Sequence, residues 1–74
     1  MKVAVIGATG YVGGRLVPEL LAAGHNVRCL ARTPARLDEV EWRPDVEVTA
    51  ADVLDRGSLD AAFEGIEAVY YIVH

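Results

Sequence analysis

The stretch Val3 to Gly14, "VAVIGATGYVGG", decides the fold. Four of the seven glycines in this 74-residue chain fall between Gly7 and Gly14, directly after a run of apolar, β-type residues. The run Val3 to Ile6 reads as a first, central strand. From Val12 the spacing changes: Val12, Leu16, Val17, Leu20 and Leu21 fall on one helical face, and Gly24 supplies the stop. A strand that turns tightly into a helix leaves the first helical N–H groups without partners, and the helix dipole adds positive potential there. Such an end takes an anion if no side chain blocks the approach. Gly7 permits the turn, Gly10 removes the Cβ where the anion would press on the backbone, and Gly13 lets the helix pack closely on the strand. Pro18 lies inside the helix, and its ring would crowd the carbonyl of Gly14. A glycine there gives the backbone room, so a bend is expected rather than a break.

Outward from this stretch the pattern repeats. "NVRCLA", Asn26 to Ala31, reads as a second strand. Thr33-Pro34 opens a short helix, with a capping hydroxyl followed by proline at the first helical position. Trp42, Pro44 and Asp45 mark a loop. Val46 to Val53 alternates and reads as a third strand. Ser58 is the expected cap of another helix, whose apolar face is Leu59, Ala62, Phe63 and Ile66, with Gly65 at its end. Ala68 to Val73 reads as a fourth strand, with Tyr70 and Tyr71 as packing residues, and His25 reads as a surface residue in a turn. Strands alternating with helices, β-α-β-α-β-α-β, imply a parallel α/β sheet with right-handed crossovers.

Composition narrows the function. Seven basic and eleven acidic residues give a net charge of −4, with no basic run, which argues against nucleic acid or an anionic membrane surface as partner. The single cysteine, Cys29, excludes an internal disulfide and reads as a small buried hydrophobe. The apolar run after Met1 is too short for a secretory signal, and no stretch approaches membrane-spanning length, so a cytoplasmic location is expected. At 53% apolar with a mean hydropathy of +0.25, the chain is rich for its size. It reads as part of a larger core. An apolar strand running to His74 supports the same expectation: the remainder of a parent domain covers that strand, or the chain self-associates.

Gly7, Gly10 and Gly13 follow the glycine logic of dinucleotide-binding βαβ units, with the spacing G-x-x-G-x-x-G. "GATGYVGG" after an N-terminal strand resembles the extended and atypical short-chain dehydrogenase/reductases. That NAD(P)-binding superfamily includes epimerases, dehydratases and NmrA-like proteins. The resemblance runs over essentially the whole chain: "GHNVRCLAR" looks like the second strand of the family, "VEVTAADVLD" like its third, and "GIEAVYYIVH" like its fourth, closest to the NmrA-like branch. It implies a Rossmann-like sheet with flanking helices and strand order 3-2-1-4. Residues 1–74 would then form the N-terminal portion of a single, incomplete domain, with no second domain.

The resemblance also implies a site. Gly7, Thr9, Gly10, Tyr11, Val12 and Gly13 form the loop and first turn that meet the cofactor pyrophosphate. Where an NAD-specific site carries an acid after the second strand, this chain has Ala31 and Arg32. The planar fork of Arg32 suits a 2′-phosphate, which points to NADP, with NAD as the alternative. Arg36, one turn on, is a second candidate. Asp52 and Val53 stand where the family holds adenine, the carboxylate accepting from the exocyclic amine and the apolar side chain packing on the ring. His74 is a candidate contact on the nicotinamide side. The Tyr-x-x-x-Lys pair common in the superfamily is not in this sequence, whose one lysine is Lys2. No catalytic residue and no metal ligand is therefore named. Three functions compete: the cofactor half of an NAD(P)-dependent oxidoreductase or epimerase/dehydratase-like protein, a non-catalytic nucleotide sensor or structural subunit, and an inert fragment.

Overall fold

The computed structural model describes residues 1–8, 10–52 and 54–72, and of Tyr11 the backbone alone. The elements are β1 (Lys2–Ile6), α1 (Tyr11–Ala22), β2 (Asn26–Ala31), two 3-10 turns (Pro34–Leu37 and Arg43–Asp45), β3 (Glu47–Ala50), α2 (Arg56–Ala62) and β4 (Ala68–Tyr71). All pairings are parallel and the order across the sheet is β3-β2-β1-β4, as the sequence predicts. β1 therefore lies at the centre, with β2 on one side and β4 on the other. The order in which successive strands are added reverses at β1, and in open parallel sheets the crevice at that point is where ligands bind.

Strand alternation sends residues to two covered faces. On one face Val3, Val5, Val27 and Cys29 pack with Val17 and Leu20 of α1, and with Leu37, Trp42 and Val46 from the β2–β3 connection. On the other, Ala4, Leu30 and Ala51 pack with Ala62, joined by Leu59, Phe63 and Ile66. Trp42, expected only as a loop marker, is thus a core residue. Burial pushes the Cys29 thiol up to about 11, so it stays protonated at neutral pH.

Several local expectations are corrected. α1 runs unbroken through Pro18, as expected, but a Cβ on Gly14 would meet nothing within 4 Å, so the glycine is not sterically required there. The buried stripe of α1 passes through Gly13, Val17 and Leu20. Val12, 53% exposed, lies to one side of it rather than on it. Thr33 makes no side-chain cap, and the segment after it is a single 3-10 turn. α2 is capped by Asp55, not Ser58: its Oδ1 accepts from the N–H groups of Gly57 (3.1 Å) and Ser58 (3.4 Å). The third and fourth strands are shorter than read. Tyr70 (40%) and Tyr71 (57%) are exposed rather than packed, and His25 is half-buried.

One contact across the sheet gave no sequence signal. Arg28, inside the apolar run of β2, points to the α2 face. Its Nε donates to Glu47 Oε2 on β3 at 2.8 Å, and one terminal nitrogen donates to the carbonyls of Ala62 (2.7 Å) and Glu64 (2.9 Å). It ties two strands to the C-terminal end of α2, whose last carbonyls lack helical partners. Lys2 Nζ lies 3.6 Å from the same Glu47.

Candidate functional site

The C-terminal ends of the parallel strands gather Ile6, Ala31, Ala50 and Tyr71 along one edge of the sheet. Backbone bonds continue each pairing just past the strands, from Ala51 N–H to Ala31 C=O (3.1 Å) and from Ile72 N–H to Ile6 C=O (2.9 Å). Above this edge opens a cleft of about 390 Å³. Gly7 and Ala8 form its floor, Ala31, Arg32, Thr33 and Arg36 one wall, Ala51, Asp52 and Leu54 another, and Tyr71 and Ile72 the far side.

The glycine turn shapes the floor. Gly7 has φ +95°, and a Cβ there would come within 2.6 Å of the Ile72 carbonyl oxygen, so the turn and the end of β4 both require glycine. A Cβ on Gly13 would come within 2.5 Å of the Ala8 Cα and 2.8 Å of the Gly7 oxygen, contacts with backbone that side-chain motion cannot relieve. Gly10, in extended conformation, is the N-cap of α1 and supplies no side-chain cap, and the first turn contains no acidic residue. The first helical bond runs from Gly14 N–H to Gly10 C=O at 3.0 Å. The Gly10 N–H donates back to Gly7 C=O at 3.2 Å, and the N–H groups of residues 11–13 point out of the helix end. This is a surface a phosphate fits, with the dipole favouring its charge.

Arg32 and Arg36 are exposed, and among the described residues neither guanidinium has an ion-pair partner. Asp52 is half-buried, and its Oδ1 accepts from the Leu54 N–H at 2.9 Å. The structure thus brings together Gly7, Arg32 and Asp52 around one cleft, with Gly10 at the N-cap and Gly13 in the first turn of α1. Val12 lies on the outer side of α1 beside Arg15 and Glu19, away from the cleft lining. Thr9, Val53 and His74 lie outside the described residues, as does the side chain of Tyr11. Sequence reasoning missed Tyr71 as a lining residue. Its place opposite Ile6, at the C-terminal end of β4, was the signal that strand order supplies.

A family model described as NAD(P)H-binding matches residues 7–74. The chain belongs to that family. Among curated relatives, this NAD(P)H-binding chain is similar to cinnamoyl-CoA reductase 1 from Oryza sativa subsp. japonica, 42% identical over 95% of the chain and 22% of the relative. It is also similar to 3 beta-hydroxysteroid dehydrogenase/Delta 5-->4-isomerase from Mycobacterium tuberculosis, 37% identical over 95% of the chain and 18% of the relative. The chain therefore spans about a fifth of the length of these relatives. Among solved structures it resembles a nucleoside-diphosphate-sugar epimerase from Pseudomonas aeruginosa, with a TM-score of 0.86 and 29% identity over 97% of this chain and 24% of that one. A short-chain dehydrogenase/reductase superfamily protein from Agrobacterium tumefaciens, solved with bound NAD, gives a TM-score of 0.76 and 25% identity over 99% of this chain and 20% of that one. The resemblance read from "GATGYVGG" is borne out, and the nicotinamide dinucleotide is the ligand class of the family. Among the described residues no helix is long and apolar enough to cross a membrane.

Proposed function

We propose that this NAD(P)H-binding chain holds the adenosine-pyrophosphate part of NADP(H), as the N-terminal portion of one dinucleotide-binding domain in a cytoplasmic reductase- or epimerase-type protein. The observation that carries the reading is the join of two features in one cleft. A helix end whose N-cap, Gly10, carries no side chain stands at the sheet's crossover point, and Arg32, with no acid next to it in the chain, stands at the end of β2. The pyrophosphate lies over Gly10 and the first turn of α1. The 2′-phosphate lies against Arg32, with Arg36 one turn away. Adenine lies beside Asp52. When bound, the nicotinamide ring supplies a hydride donor or acceptor. The residues of this chain bind and orient the cofactor, and the groups that move protons on the substrate lie elsewhere in the protein.

The test is direct titration with NADPH of the full-length protein and its Gly10→Val variant. The parent is expected to bind. Gly10→Val should abolish binding while the circular-dichroism spectrum stays unchanged, because the extended backbone of Gly10 suits any residue and a side chain at the N-cap would crowd the helix end proposed to take the phosphate. A variant that binds as tightly as the parent would place the phosphate elsewhere.

A further inference from the structure

The wall of the cleft formed by Ala51, Asp52 and Leu54 comes from the short connection between β3 and α2. β3 ends at Ala50, and the Ala51 N–H still bonds to Ala31 C=O. With Asp52 the chain leaves the sheet, and its N–H and C=O lose their strand partners. Both are taken up locally. The Asp52 N–H donates to Ser58 Oγ at 3.1 Å, and its carbonyl accepts from the Asp55 N–H at 2.9 Å and lies 3.2 Å from the Ser58 hydroxyl. Ser58 Oγ is also 2.9 Å from the Asp55 carbonyl, so its single proton serves one of two carbonyls while its lone pair always faces the Asp52 N–H. Ser58 is absent from the cleft lining and does not cap α2, a task done by Asp55.

We infer that Ser58 is a positioning residue for the adenine side of the cofactor site: its hydroxyl clamps the backbone of Asp52 and so fixes where the Asp52 carboxylate stands. The inference rests on the reading that Asp52 receives the adenine amine. Asp52 Oδ1 is already engaged with the Leu54 N–H at 2.9 Å, which sets the rotation of the carboxylate once the backbone is held. Ser58 supplies that hold from six residues away. Without it a half-buried N–H loses its partner, and the turn relaxes toward water.

The experiment compares the affinities of the full-length protein for NADPH and for its hypoxanthine analogue, which lacks the exocyclic amine. Ser58→Ala, Ser58→Thr and Asp52→Ala are measured beside the parent. The ratio of the two affinities is the readout, because a general loss of stability weakens both ligands alike and cancels. The parent is expected to prefer adenine by about fivefold, the worth of one hydrogen bond. Ser58→Ala should cut that preference to less than half, and Ser58→Thr, which keeps the hydroxyl, should restore it. If Ser58→Ala keeps the parent's ratio while Asp52→Ala loses it, the clamp is wrong and the adenine site stands. If the parent shows no preference, or Asp52→Ala leaves it intact, Asp52 does not read the amine and the inference falls with that reading.

Discussion

Gly13, in the first turn of α1, lies so close to Ala8 that a Cβ built on it would stand 2.5 Å from the Ala8 Cα. The helix N-terminus is thereby pressed onto the turn that leaves β1. Gly13→Ala must push the helix away from the turn, because the atoms in the way are backbone. We expect a loss of roughly 1–3 kcal/mol, in the range of overpacked cores, together with loss of NADPH binding. Urea unfolding and nucleotide titration of the full-length variant check both. A variant with parental stability and affinity would mean that this contact is not needed.

Arg28 holds Glu47 and the Ala62 and Glu64 carbonyls at once, with its side chain only 14% exposed. Arg28→Ala leaves those carbonyls without the donor and should cost about 1–3 kcal/mol in urea unfolding. Its partner behaves differently. The hydrogen bond from Arg28 holds the exposed Glu47 carboxyl below its ordinary value of 4.5. A carboxyl lowered in the folded state stabilises the fold above its unfolded pKa, and that contribution is lost as pH falls through the folded value. Glu47→Gln should therefore match the parent in the most acid range and be slightly less stable from about pH 5 upward, the difference staying small because water screens the pair. A Glu47→Gln deficit that grows on acidification would contradict the assignment.

β4 is exposed on both of its faces. Val69 (47%), Tyr70 (40%) and Tyr71 (57%) stand open on a strand whose one sheet neighbour, among the described residues, is β1. An apolar strand with a free edge is a template for pairing. The isolated 1–74 polypeptide should self-associate, and Val69→Lys with Tyr71→Lys should shift it toward monomer in sedimentation velocity. A clean monomer with a cooperative thermal transition before mutation would show that this edge needs no partner.

The parts of the fold legible in the sequence are those where one residue type has one physical use. The apolar run of β1, the glycine turn and the span of β2 from Asn26 to Ala31 fall in this group, and the strand order came with the family that the glycine turn resembles. Where several residues compete for one role, the sequence left the choice open. Asp55 and Ser58 both suit a helix cap and stand three residues apart, and the apolar spacing of α2 does not fix its first residue. Val12 fits the helical period but sits at the margin of a stripe centred on Gly13, a residue that hydrophobic counting skips. Arg28 is hidden because its use depends on Glu47 and on the end of α2, which lie 19 residues or more away along the chain. In the site, Gly7, Gly10 and Gly13 came from the strand-turn-helix pattern, and Arg32 and Asp52 from the family resemblance, which implies a ribose and an adenine at the ends of the second and third strands. Ser58 and Tyr71 needed the tertiary arrangement.

On the proposed reading, the cleft beside β1 takes a dinucleotide whose 2′-phosphate meets Arg32. A paired titration of NADPH and NADH against the full-length protein, Arg32→Ala and Ala31→Asp decides it. A charge-assisted pair of this kind contributes roughly 1.5–3 kcal/mol, and about 1.4 kcal/mol is a factor of ten. The parent is therefore predicted to prefer NADPH by roughly tenfold or more. Arg32→Ala should weaken NADPH and leave NADH nearly unchanged, and Ala31→Asp should reverse the preference by repelling the phosphate and accepting from the 2′-hydroxyl. Equal affinities in the parent, or an Arg32→Ala loss shared by both nucleotides, would contradict it.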